Sequence, residues 1–122
     1  MRDLHNNIDV RRAISPAAVS DNTPFVSQII DVAGFHSLEF AIAVGTLADA
    51  DATFTVLVEH GDAANLSDAA EVPDSMLLGT EAEASFTFSD DDTTEKIGYI
   101  GDKRYARLTI TPAANAGSAT VG

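Results

Sequence analysis

Two runs of the chain decide the fold: SLEFAIAVGTL at positions 37–47 and TFTVLVEHG at positions 53–61. In the first run Phe40, Ile42 and Val44 alternate with small or polar residues, and the second run alternates in the same way. A period of two residues is typical of a β-strand with one buried side. Because only the short polar connector ADADA separates the two runs, they are predicted to form a β-hairpin, although the connector lacks the Asn-Gly signal of a two-residue turn.

The same alternation recurs towards the C-terminus. ASFTFS and RYARLTITP predict two further strands, the second of which is expected to end at Pro112, because proline has no N–H to donate to a sheet. A strand is also predicted over 25–31, and the tail over 118–121 either adds a last short strand or frays. The loop over 62–78 is expected to hold one short helical turn that Pro73 would end.

Short strands separated by polar turns predict an all-β fold. The expected architecture is a single β-sandwich or barrel-like domain over 23–122, preceded by an extended N-terminal arm over 1–22. The aromatic residues are expected to pack in the core rather than to bind a ligand. The predicted core phenylalanines are Phe25, Phe35, Phe40, Phe54, Phe86 and Phe88.

Charge is distributed unevenly along the chain, whose formal net charge is -12. The 82 residues from Ile14 to Glu95 contain 16 acidic residues and no Lys or Arg. Nucleic-acid binding relies on Lys and Arg that neutralise phosphates, and anionic lipid surfaces attract the same side chains. The sequence therefore predicts that neither nucleic acid nor a membrane is a partner.

The residue types of most active sites are absent or scattered. The chain has no cysteine, and His5, His36 and His60 do not have the spacing of zinc ligands. No G-x-S-x-G or phosphate-loop motif is present. We therefore expect a protein that is not an enzyme, with no catalytic residue, no metal and no cofactor.

The acidic stretch SDDDTTE, at positions 89–95, is the most polar part of the predicted domain. Asp, Ser and Thr favour turns because their side chains bond to nearby backbone amides, so a solvated hairpin loop is expected here. The stretch lacks the Gly and Glu positions of an EF-hand loop. An irregular calcium site shared between loops stays open as an alternative.

Three long segments, MRDLHNNIDVRRAISP, FVSQIIDVAGFHSLEFAIAVGTLADADATFTVLVEHGD and LLGTEAEASFTFSDDDTTEKIGYIGDKRYARLTITPA, resemble small structural proteins of tailed bacteriophages and prophages. The resemblance covers nearly the whole chain, and the members of this family are similar to head decoration (cement) proteins. It implies a homotrimer present in many copies on the outer capsid surface of the virion, bound to the major capsid protein and stabilising the head.

The N-terminal stretch NNIDVRRAISP alternates, and its apolar content is too small to form a core. It is predicted either to be the first strand of the sandwich or to reach out to a partner. With the resemblance, the second possibility becomes a capsid-binding arm that combines apolar contacts with arginines able to pair with carboxylates. The predicted capsid-binding residues are Arg2, Leu4, Ile8, Val10, Arg11 and Arg12.

Two other classes of protein fit the same pattern. A neck or tail component of the virion would have a similar all-β sequence. A carbohydrate- or ligand-binding β module would display exposed aromatic rings, for which only Tyr99 and Tyr105 are available. A homotrimer is expected to bury the small side chains of Ala41 and Ala43 on the open face of their strand.

Overall fold

The computed structural model describes residues 2–122. Strands make up 41% of the chain and helices 11%, in antiparallel sheets packed on one another, which confirms the predicted all-β, sandwich-like fold. Within the described residues no helix is long and apolar enough to cross a membrane. The strands are β1 (Ala17–Val19), β2 (Phe25–Val26), β3 (Ile30–Asp31), β4 (Leu38–Leu47), β5 (Thr53–Gly61), β6 (Ala70–Glu71), β7 (Leu77–Leu78), β8 (Phe86–Thr87), β9 (Thr94–Tyr99), β10 (Tyr105–Ala113) and β11 (Ala119–Val121).

Two sheets form the sandwich. One sheet has the order β1-β11-β4-β9-β7, and the other has the order β2-β10-β5-β6, with β3 also paired to β10 and β8 to β5. The long strands are central, whereas the edges consist of strands two or three residues long. Short edges limit unwanted pairing with other chains, because they expose few free backbone groups in a row.

The inward faces follow the predicted alternation. Phe40, Ile42 and Val44 of β4 are buried, and the alternate residues of β5 and β10 face them from the other sheet. Four of the six phenylalanines lie in the core as predicted, but Phe35 and Phe88 are exposed. Phe88 is exposed because the strand stops at Thr87, whose N–H donates to the Asp90 carboxylate across a 3-10 turn over Phe88–Asp90.

The predicted hairpin between β4 and β5 is wrong. β4 pairs with β9 and β11, whereas β5 pairs with β10, β6 and β8 in the other sheet. The connector therefore crosses between the sheets. Its turn is held by Asp49, whose carboxylate accepts the N–H of Asp51 at 2.9 Å and of Ala116 at 2.8 Å.

The expected end of the ladder at Pro112 is also wrong, since β10 continues to Ala113 and Pro112 lies opposite Phe54. The backbone of Leu108 bonds to Ser27, on the β2 side of β10. Alternate residues of an antiparallel strand bond to the same side, so Pro112 also faces the β2 side. Because β2 pairs no further than Ile110, the missing N–H of Pro112 has no strand to bond to.

The structure differs in detail from three other local predictions. The strand expected over 25–31 is divided into β2 and β3, and the tail forms β11 rather than fraying. The long loop contains a 3-10 turn over Asp74–Met76, which Pro73 precedes instead of ending. One α-helical turn, α1 (Glu81–Ala84), was not expected; Thr80 caps it by accepting the N–H of Glu83 at 3.0 Å.

Candidate functional site

The first residues of the chain form the most exposed apolar segment of the molecule. Residues 2–12, called here the N-terminal segment, contain no β-strand and only a 3-10 turn over His5–Asn7. Leu4 is 58% exposed, Ile8 52% and Val10 82%. These are three of the eight large apolar residues that are exposed among residues 2–122, so the segment displays apolar surface that the domain does not cover.

The boundary of the arm lies nearer to residue 12 than to residue 22. Ala13 and Ile14 pack against the core, and the Ala13 carbonyl accepts the N–H of Gln28 at 2.8 Å. The next residues form β1, which pairs with β11 at the edge of the five-stranded sheet. The first strand of the sandwich is therefore Ala17–Val19, and the N-terminal segment precedes it without joining either sheet.

Local polar contacts shape the N-terminal segment without covering its apolar side chains. The carboxylate of Asp3 accepts the backbone N–H of Asn6 at 3.1 Å and its side-chain amide at 2.8 Å. These bonds lower the pKa of Asp3. Arg11 pairs with Asp9 at 2.9 Å, whereas Arg2 and Arg12 form no ion pair with any other residue of 2–122. All six predicted capsid-binding residues are thus on one exposed segment.

The stretch SDDDTTE is a crossing between sheets, and the hairpin predicted for it is wrong. β8 before it pairs with β5, while β9 after it pairs with β4. Asp90 accepts the N–H of Thr87 at 2.9 Å, and the carboxylate of Asp91 accepts the N–H of Leu47, the last residue of β4 before the other connector. The aspartates therefore fix the backbone of two crossings at one end of the sandwich.

No cation site is formed by these carboxylates. Among residues 2–122, no group of three or more His, Cys, Asp or Glu side chains has the arrangement of a metal site. Asp49, Asp90 and Asp91 instead use carboxylate oxygens to accept backbone N–H groups. The described geometry accordingly favours the structural reading of the acidic stretch over a calcium site.

Tyr99 is not available as a platform for carbohydrate, because its side chain is fully buried. Its hydroxyl lies 2.8 Å from Nδ1 of His60 and accepts the N–H of Lys103 at 3.1 Å. Burial raises the pKa of the Tyr99 hydroxyl. Sequence reasoning overlooked His60, although its position in the inward register of β5 after Phe54, Val56 and Val58 was the available signal.

The loop at the opposite end of the sandwich from the acidic crossings contains two ion pairs. Arg104 binds Asp31 through two hydrogen bonds of 3.0 and 2.9 Å, and Lys103 binds Asp62 at 3.1 Å. The hydrogen bonds from Arg104 lower the pKa of Asp31 to about 2. Both pairs are exposed, so they contribute little to stability.

The carboxylate of Glu81 also accepts a backbone hydrogen bond, and its contribution to stability is testable. Its Oε2 accepts the N–H of Val58 at 2.7 Å. Burial has the largest effect and raises the pKa of Glu81; the Val58 bond opposes this, and the neighbouring carboxyls of Glu71 and Asp74 raise the pKa further. The folded protein therefore binds this proton more tightly than the unfolded chain, and its stability falls as the pH rises through the pKa of Glu81.

We expect Glu81→Ala to lower the free energy of unfolding by about 1–2 kcal/mol, because it leaves the Val58 N–H without its acceptor. Glu81→Gln keeps an acceptor without the charge, so it should cost less near pH 7 and should reduce the loss of stability between pH 5 and pH 7. Urea unfolding of the three proteins at both pH values measures this. Equal losses for the two variants at pH 7 would show that the carbonyl oxygen does not replace the carboxylate.

The fold and the exposed segment define the class of the protein. The class is an all-β, sandwich-like protein with an exposed N-terminal segment. Comparison of the chain with protein-family models, with curated proteins and with solved structures finds no match.

Proposed function

We propose that this chain is a head decoration (cement) protein of a tailed bacteriophage. It binds the outer surface of the shell formed by the major capsid protein, as a homotrimer, and stabilises the head without enzymatic activity or a cofactor. The sequence resemblance suggests this role. The observation that supports it best is the N-terminal segment, which combines uncovered Leu4, Ile8 and Val10 with three arginines.

The N-terminal segment suits a contact with another protein. Fully burying one Leu, Ile or Val side chain contributes about 1.5–3 kcal/mol, from which the cost of ordering the segment must be subtracted. Arg12 forms no ion pair with another residue of 2–122 and is able to pair with a carboxylate on the shell. One segment is a weak ligand, but a trimer presents three at once, so their combined affinity exceeds that of each.

The remaining surface supports a structural role rather than a binding role for nucleic acid. The stretch from Ile14 to Glu95 contains no cation, and the aspartates of the acidic crossings hold backbone groups. A protein of this charge does not compete for packaged DNA, because it repels phosphates. Shell contact would therefore be confined to the N-terminal segment and the surfaces beside it.

The copy number of the protein in purified particles tests this proposal. Quantitative mass spectrometry against the major capsid protein should find hundreds of copies, close to one per capsid subunit. A dozen copies or fewer would instead assign the protein to the neck or tail. Absence from particles would overturn a virion role and favour the ligand-binding alternative, for which partly exposed Tyr105 remains the available ring.

A further inference from the structure

The outer face of the five-stranded sheet contains an open groove, called here the sheet groove. Its floor is formed by Ala41 of β4 and by Lys96, which lies directly opposite on β9. Leu78 and Gly79 form one side together with Glu83 of α1. The groove is open to solvent, and the space above its floor amounts to about 970 Å³.

Small residues make the sheet groove possible. Ala41 presents only a methyl group, and Gly98 presents no side chain. A Cβ on Gly98 would meet the carboxylate of Glu39 and would lie 2.9 Å from the Cβ of Leu78. The side chains of Glu39 and Leu78 thus lie over the glycine, where a larger residue would push them outward. The open shape suits an extended segment of chain better than an enclosed small molecule.

The charge of the sheet groove is predominantly negative. Its charged side chains on this face of the sheet are two carboxylates, Glu39 and Glu83, and one ammonium, Lys96. The exposed side chain of Leu78 adds apolar surface beside them. A complementary ligand is therefore an extended peptide that combines apolar side chains with an excess of cations.

The N-terminal segment has this chemistry. It carries three arginines against two aspartates, and its apolar side chains are exposed. No residue in 8–12 has a backbone hydrogen bond to the rest of the described chain, so its extended backbone is free to pair. Ile8 and Val10 are two positions apart, and therefore project to the same side of an extended chain.

The segment of the same chain does not lie in the sheet groove. It leaves the domain at Ala13, which bonds to Gln28 between β2 and β3 of the other sheet. Arg11 is close enough to Asp31, on β3, to lower its pKa. In the five-stranded sheet, β1 is at one edge, while β7, which borders the groove, is at the opposite edge. The N-terminal segment of a second copy therefore reaches this groove more easily than the segment of the same chain.

We propose that the sheet groove binds the N-terminal segment of a second copy of this chain. Ile8 and Val10 pack on Ala41 and Leu78, and Arg11 and Arg12 pair with carboxylates at the groove wall. Such a contact joins two different surfaces, so repeating it gives a ring where the rotation between copies closes. A segment held in a groove is not available to the shell, so this contact belongs to the free protein, and a trimer bound to the shell is held by other surfaces.

Cysteine cross-linking tests this contact, because the natural chain contains no cysteine. Val10→Cys, labelled with ¹⁵N, is mixed with unlabelled Ala41→Cys and oxidised gently, and mass spectrometry identifies mixed dimers. The control acceptor is Thr55→Cys, an exposed position on the outer face of the other sheet. We expect at least tenfold more mixed dimer with Ala41→Cys than with Thr55→Cys, and a several-fold decrease when Glu39→Lys is added to the acceptor.

The outcomes separate this proposal from its alternatives. Equal yields with the two acceptors would overturn it. A cross-link that forms within one chain carrying both Val10→Cys and Ala41→Cys, but not between chains, would overturn the assignment to a second copy. The measurement uses free protein without shells, so neither result depends on whether the protein decorates a capsid.

Discussion

Replacing Phe54 with alanine is expected to lower the free energy of unfolding by about 3–5 kcal/mol, the usual cost of removing a buried phenylalanine. Phe54 is 1% exposed. Its ring stacks on Phe86 with centroids 5.0 Å apart and planes inclined by 11°. The change therefore removes apolar burial, leaves a cavity and breaks an aromatic pair. Urea unfolding followed by circular dichroism measures the loss.

Phe88→Ala is the matched control for this prediction. Phe88 follows Phe86 in the same alternating run but is 42% exposed. Its removal should change the free energy of unfolding by no more than about 1 kcal/mol, as is usual for surface substitutions. Similar losses for Phe54→Ala and Phe88→Ala would mean that Phe88 is buried and that the strand does not end at Thr87.

The alternation of residues predicted which faces are buried but not which strands are neighbours. β4 and β5 show the same pattern, and a period of two specifies only that each strand has an inner side. Pairing depends on the partner strand and on the connector. Here Asp49 accepts the N–H of Ala116, and Asp91 accepts the N–H of Leu47, at two crossings between sheets. Those contacts join residues distant in sequence, so no local pattern indicates them.

The exposed and buried aromatic residues show a second limit of sequence reasoning. Phe86 and Phe88 are equivalent in an alternating strand, and only the capping interaction between Thr87 and Asp90 distinguishes them. The sequence contains a signal for that interaction, because a Thr followed three residues later by an acidic residue is similar to a capping box. The burial of Tyr99 was harder to predict from the sequence, because its hydroxyl contacts His60 of the opposite sheet.

The N-terminal segment was the part of the candidate site that the sequence could indicate. Its low apolar content argued against a core, and alternating Ile8 and Val10 argued for an extended chain with one apolar side. The sequence did not predict where the segment joins the domain, because Ala13 bonds to Gln28 across a contact that has no sequence signature. The sheet groove was also unpredictable, since its residues come from β4, β7, β9 and α1.

Deleting residues 1–12 is expected to abolish binding to the capsid shell while leaving the domain folded. The deletion removes all six predicted capsid-binding residues but keeps Ala13, whose carbonyl binds Gln28, and half-buried Ile14. The free energy of unfolding should therefore change by no more than about 0.5 kcal/mol, as for other surface changes away from packed contacts. Co-sedimentation with undecorated shells measures binding, and urea unfolding measures stability.

A full-length variant distinguishes the effect of the apolar side chains from the effect of removing the whole segment. Ile8→Ser with Val10→Ser removes the apolar contacts and should reduce shell binding at least tenfold, since each lost burial weakens the complex by more than about 1.4 kcal/mol. Val26→Ser is the matched control, because Val26 is also exposed and apolar but lies on β2. If the deletion unfolded the domain, the N-terminal segment would be part of the fold. If the domain stayed folded and bound shells normally, the contact would lie on the sandwich itself, and the predominantly acidic faces of the sheets would have to provide it.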